Sequence, residues 1–122
     1  MTADDRLARG TEGEQLAAEW YAARGYRIVA RNWRCPEGEL DLVAARSGEL
    51  VFCEVKARTT TRYGVPAEAV TLAKQRRVRV LAARFLDAHG PVVTATAGPG
   101  AARRFDVAAV LRGEITVIEA AF

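Results

Sequence analysis

Two short stretches of the chain, Gly38-Glu39-Leu40-Asp41-Leu42-Val43 and Val51-Phe52-Cys53-Glu54-Val55-Lys56, set three carboxylates and a lysine among apolar β-formers. Residues two apart in a strand share a face, so Glu39 and Asp41 are expected to point one way and Leu40 and Leu42 the other. Glu54 and Lys56 likewise share a face with Phe52, opposite Val51, Cys53 and Val55. Ser47-Gly48 reads as a two-residue hairpin loop that pairs Arg46 with Glu49. That register sets Asp41 opposite Glu54 and Glu39 opposite Lys56, with facing Cβ atoms about 4.5–5.5 Å apart.

Facing carboxylates in half-buried strands repel, and a divalent cation between them turns the repulsion into ligation. The plainer alternative is a solvated sheet face with Glu39 and Lys56 as a cross-strand ion pair. Phe52, on the Glu54 face, argues that this face is covered. Oxygen-only ligands suit Mg²⁺ or Mn²⁺. Such an ion polarises a phosphoryl oxygen and acidifies water, while Lys56 orients the nucleophile or stabilises growing negative charge. The expectation is metal-assisted phosphodiester hydrolysis, with Asp41, Glu54 and Lys56 catalytic and Asp41 and Glu54 as metal ligands.

The elements that must position these residues are readable around them. Thr11 to Glu14 reads as a capping box that opens a helix, with Leu16, Ala17 and Trp20 at helical spacing and Gly25 as its stop. Tyr26–Trp33 is a predicted strand, closed by the turn Cys35-Pro36-Glu37-Gly38. Strands over Glu39–Ala45 and Leu50–Ala57 follow. A polar loop, Arg58–Gly64, leads past Pro66 into a long helix whose apolar stripe is Val78, Leu81, Ala82, Phe85 and Leu86, ending near His89-Gly90. Pro91–Gly100 offers a short strand before the Gly98-Pro99-Gly100 break, and Arg104–Val110 with Glu114–Glu119 reads as a closing strand pair. The order is α-βββ-α-β(β): an α/β domain with a mixed sheet, spanning 1–122.

Bulk properties narrow the class without choosing a function. The 122 residues are 50% hydrophobic and 27% charged, with a net charge of +3, which leans weakly towards nucleic acid. Two cysteines, Cys35 and Cys53, lie in no metal-binding spacing with the single histidine, His89. The acidic N-terminal start lacks a signal peptide's apolar region, and no run approaches the roughly 20 apolar residues of a membrane span, so a cytoplasmic location is the default expectation.

At Asp41…Glu54-Val55-Lys56 the chain resembles the PD-(D/E)xK nuclease superfamily, whose restriction endonuclease-like fold includes Holliday junction resolvases; Leu40 replaces the usual proline. More closely, it resembles the YraN family of uncharacterised bacterial proteins. The matching residues are Gly13-Glu14 and Ala17, Gly25-Tyr26, Arg31-Asn32, Gly38 to Val43, Val51 to Arg58, Tyr63-Gly64, Lys74 to Arg77, Arg104 to Val107 and Ala121-Phe122. The resemblance implies the restriction endonuclease-like fold and an additional metal-site glutamate on the first helix, a place Glu14 occupies. The capping box competes for Glu14, since one carboxylate cannot fully serve both. The resolvase relatives also imply a homodimer, although no patch of this sequence marks a seam.

The remaining candidates are weaker. Glu39 is a supporting residue. Gln75 stands where nuclease relatives carry a supporting polar group, although Lys74 and Gln75 read as simply as a solvated first turn. Arg58 and Arg62 on the loop, with Lys74, Arg76 and Arg77 on the helix, are candidate phosphate contacts. Tyr63 offers a stacking ring or local packing. Arg104 and Asp106 read as a structural ion pair, His89 as a helix cap, and Trp20 and Trp33 as core. The expected function is an Mg²⁺- or Mn²⁺-dependent endonuclease on branched, nicked or otherwise structured DNA. A non-catalytic nucleic-acid-binding module and an RNA-processing nuclease are the alternatives, DNA standing ahead of RNA as partner.

Overall fold

A computed structural model describes residues 3–58 and 70–122, with the side chains of 12–57 and 70–122. Its elements are α1 (Ala3–Ala23), β1 (Arg27–Cys35), β2 (Gly38–Arg46), β3 (Glu49–Arg58), α2 (Leu72–Ala97), β4 (Ala102–Leu111) and β5 (Glu114–Ile118). The strands form one mixed sheet in sequence order β1-β2-β3-β4-β5, antiparallel except for the parallel pair β3 and β4 that α2 connects. This is the expected α/β architecture, with the order α-βββ-α-ββ.

The helices lie on opposite faces. Val78, Leu81, Ala82 and Phe85 of α2 pack on Leu40, Val43, Leu50, Phe52 and Phe105. Ala17, Ala18 and Tyr21 of α1 pack on Leu42, Ala44, Val51, Cys53 and Ala108. Cover on both faces explains why the middle of the sheet is an apolar run: Val51, Phe52, Cys53 and Glu54 are all buried. Trp20 and Trp33, expected in the core, are half-buried at its rims, packed against the two clusters from outside.

Three local expectations are corrected. Helix α1 begins at Ala3, so Thr11 lies inside it and does not open it; Arg6, Leu7, Ala8 and Arg9 are good helix formers and extend the element upstream. The Glu14 carboxylate accepts from Asn32 Nδ2 at 2.7 Å instead of closing a capping box. The second correction concerns Pro91–Gly100, which holds no strand. Helix α2 kinks at His89 (φ −130°, ψ 24°) and continues through Pro91 to Ala97. A proline suits the first turn of a helical segment, where its missing N–H has no partner to lose, and Val93 and Ala97 then bury one turn apart. Finally, His89 does not cap helix carbonyls; its Nε2 accepts from Trp33 Nε1 at 3.1 Å.

Helix α2 starts with Thr71, whose hydroxyl accepts from the Lys74 amide at 3.2 Å. On the sheet's other face, beneath α1, the buried Asp106 anchors the expected ion pair. Its carboxylate accepts from Arg104 at 2.9 and 3.0 Å, from the Tyr21 hydroxyl at 2.6 Å and from the Ala120 amide at 2.9 Å. Four donors fill the lone pairs of one carboxylate, so its burial is compensated.

Candidate active site

The hairpin between β2 and β3 has the expected register: Arg46 pairs with Glu49, and the ladder continues to Leu42 opposite Cys53. Beyond that pair it stops. The next step would set Asp41 against Glu54, but there the Asp41 carboxylate itself accepts the Val55 amide at 2.9 Å. A continued ladder would give that amide a backbone carbonyl of β2. The two strands therefore part at Asp41, leaving an opening between them.

Strict alternation also fails at this point, correcting the expectation that Leu40 and Leu42 share a face. Leu40 packs beneath α2 and Leu42 beneath α1. Strand β1 changes in step. Arg31 pairs with Leu42 and donates to Gln15 of α1 at 2.9 Å, whereas Trp33 pairs with Leu40 and packs on the α2 side. Between them lies Asn32, across from Asp41, with a left-handed φ of 50°. Strand β2 thus swaps faces at Asp41, and β1 does so beside it at Asn32, in addition to its bulge between Ile28 and Ala30.

A cleft of about 350 Å³ opens here, lined by Glu39, Asp41, Glu54, Val55, Lys56, Lys74 and Arg77 among others. Asp41, Glu54 and Lys56 meet in it. On its α1 side, Glu14, Glu39 and Asp41 each bring a carboxylate oxygen within 4.8 Å of the others. Burial, then the charges of Glu54, Glu14 and Glu39, push the Asp41 carboxyl up to about 7 despite the Val55 amide. On its α2 side, the buried Glu54 carboxylate sits 3.3 Å from Lys74 Nζ. Burial and the contact with Lys74 push the Lys56 ammonium below its ordinary range. Burial alone would lower Lys74 too, but the hydrogen bond with Lys56 and the Glu54 charge raise it.

Oxygens around Mg²⁺ at about 2.0–2.1 Å from the ion stand at most about 4.2 Å apart. The Glu14–Glu39–Asp41 trio is thus within a small side-chain adjustment of ligating distance, and its donor set is all oxygen. The residues present fit a hard divalent cation.

Other candidates fall on both sides of expectation. The cross-strand partnership of Glu39 with Lys56 does not form; Glu39 pairs with Arg34 at 3.1 Å, because the strands have parted before reaching that position. Lys74 is no solvated first-turn residue, whereas Gln75 is turned away and donates to the Val70 carbonyl at 3.2 Å. Arg77 lines the cleft and Arg76 is exposed outside it. The side chain of Arg58, together with Arg62, Tyr63 and Gly64, lies outside the described residues. Sequence reasoning gave no role to Asn32 beyond its place among the residues that carry the family resemblance; the physical signal was an asparagine, a residue that tolerates left-handed backbone, within a strand-forming run.

No helix among the described residues is long and apolar enough to cross a membrane. The profile of the uncharacterised protein family UPF0102 matches residues 13–110, a span that holds every cleft residue named above. A UPF0102 protein of Beutenbergia cavernae is 49% identical over 115 residues, covering 92% of this chain and 87% of the relative. One from Rhodococcus jostii is 48% identical over 107 residues, covering 88% and 85%. Another, from Frankia casuarinae, is 56% identical over 89 residues, covering 73% and 74%.

Proposed function

The chain belongs to the uncharacterised protein family UPF0102, to which the YraN resemblance of its motifs points, and we propose that it is a divalent-metal-dependent endonuclease hydrolysing phosphodiesters of structured or branched DNA. The supporting observation is the meeting of Asp41, Glu54 and Lys56 in one cleft with Glu14, Glu39 and Lys74 around them. A purely binding surface for phosphate has no use for carboxylates at its centre, since they repel the ligand.

In this reading Asp41, with Glu14 and Glu54, holds Mg²⁺ or Mn²⁺, and Glu39 supports them. The bound ion supplies Lewis acidity to the phosphoryl oxygen and to water. The chain's own residues do the rest. Lys56, pushed below its ordinary range by burial and by Lys74, brings Nζ into the cleft, where it orients the attacking water or stabilises the growing negative charge. Lys74 stays charged beside Glu54 and faces the negative charge that grows on the phosphate. Arg77 at the cleft wall, with Arg58 and Arg62, positions the DNA backbone.

Binding and cutting should separate by mutation. Asp41→Asn and Lys56→Ala are expected to abolish cleavage of a radiolabelled branched DNA while leaving its affinity similar, and tighter for Asp41→Asn. Loss of affinity in parallel with cleavage in both variants would refute this division of roles.

A further inference from the structure

Three non-glycine residues among those described have a left-handed backbone: Arg112, Ala120 and Asn32. Arg112 lies in the turn between β4 and β5, and Ala120 follows the last strand. Asn32 alone sits inside a strand. Such a conformation in mid-strand costs free energy and persists only where surrounding contacts hold it. Here it has a local consequence. By rotating β1 through half an alternation, it frees the Asn32 side chain to reach α1, where Nδ2 donates to Glu14 Oε2 at 2.7 Å. The preceding residue, Arg31, makes a second hydrogen bond to the same helix through Gln15 at 2.9 Å. Glu14 is the only member of the acidic trio that comes from a helix; Glu39 and Asp41 both come from β2, and Asp41 lies directly across from Asn32.

We propose that Asn32 is a positioning residue for a divalent-cation site. Its left-handed backbone aims the side-chain amide at Glu14 and holds that carboxylate beside Asp41 and Glu39. This inference rests on the metal-dependent reading above and assigns within it a residue that never touches the ion. The chemistry is that of an outer hydrogen bond to a ligand. The amide occupies one lone pair of Glu14 Oε2, fixes the rotamer of the side chain and would leave the remaining lone pairs of the carboxylate for a cation. An asparagine fits both demands, since it accepts a positive φ and carries an N–H donor two bonds from Cβ.

The glycine variant separates these two demands. Asn32→Gly keeps the left-handed backbone and removes only the donor. Mn²⁺ binding to the purified protein, followed by the loss of its free-ion electron paramagnetic resonance signal, should be about ten- to a hundredfold weaker in Asn32→Gly than in wild type. In a Glu14→Ala background the same change should have no further effect, because the group it positions is gone. In wild type, the Asn32 side-chain amide resonances should shift on Mg²⁺ titration, and that shift should vanish in Glu14→Ala. Equal Mn²⁺ affinity in wild type and Asn32→Gly, or amide resonances indifferent to Mg²⁺, would leave the metal site standing and reduce Asn32 to a backbone requirement. Wild type that binds no Mn²⁺ would remove the metal-dependent reading itself, and this inference with it.

Discussion

Asp41 and Val55 are joined by a side-chain-to-backbone hydrogen bond of 2.9 Å at the place where the ladder between β2 and β3 ends. A carboxylate that substitutes for a backbone acceptor is fixed in direction by the sheet itself. The surrounding acidic charge makes that fixed carboxylate costly without a cation, and the following predictions rest on this tension.

The first concerns pH. The folded-state pKa of Asp41 is raised from 3.8 to about 7, chiefly by burial. Its protonated form therefore favours folding: the contribution is complete below the ordinary carboxylate range and is lost as pH rises through about 7. Without divalent metal, melting temperatures of wild type should fall relative to Asp41→Asn between pH 4 and 8, and Asp41→Asn should be as stable as wild type or more so at pH 8. Parallel profiles would show that Asp41 is not under charge stress.

Metal should reverse that ordering. A ligand that binds only the native state adds RT ln(1 + [L]/Kd), about 2.7 kcal/mol at 100-fold excess over Kd. Thermal melts with Mg²⁺ should show a gain for wild type at pH 7.5 and little for Asp41→Asn. Equal gains in the two proteins would place the ion elsewhere.

Asp106 is the contrasting carboxylate. It is fully buried, with four donors around it. Asp106→Ala should cost about 1–3 kcal/mol in denaturant unfolding, because it strands the buried Tyr21 hydroxyl, whereas Arg104 keeps Glu49 and Glu119. A loss under about 1 kcal/mol would mean the network relaxes to water.

The arginines of α2 should divide by their present contacts. Arg77 lines the cleft, whereas the Arg79 guanidinium lies 4.5 Å from the centre of the Phe105 ring. Arg77→Ala should make the salt dependence of duplex binding shallower by roughly 0.9 in log–log slope. Arg79→Ala should leave the slope unchanged and lower stability instead. Identical slopes for wild type and Arg77→Ala would remove Arg77 from the phosphate contacts.

Much of this layout is legible in the sequence because period-2 patterning and a two-residue Ser-Gly loop fix a register with little freedom. The pairing of Arg46 with Glu49 follows from that loop and carries the expected register to Leu42 and Cys53, one step short of the facing pair expected of Asp41 and Glu54. The failures share a cause: they lie where tertiary contacts override local signals. Thr11 carries a cap signature, yet the helix runs through it. Pro91 reads as a helix stop, yet a kink at His89 lets it start a new turn. Alternation predicts Leu40 and Leu42 on one face, yet the left-handed Asn32 and the ladder's end at Asp41 turn both strands over. Lys74 is far from Glu54 in sequence, and only the packing of α2 against the sheet brings them to 3.3 Å.

The most direct test of the account is cleavage by wild type across a panel of duplex, nicked, flapped and four-way-junction DNA, plus RNA, each with Mg²⁺ or Mn²⁺ and each with chelator. The account predicts metal-dependent cutting of at least one branched or nicked DNA, lost in Asp41→Asn and Lys56→Ala. Tight binding to several of these substrates with no cutting by either metal would contradict it, and would make the chain a nucleic-acid-binding module instead.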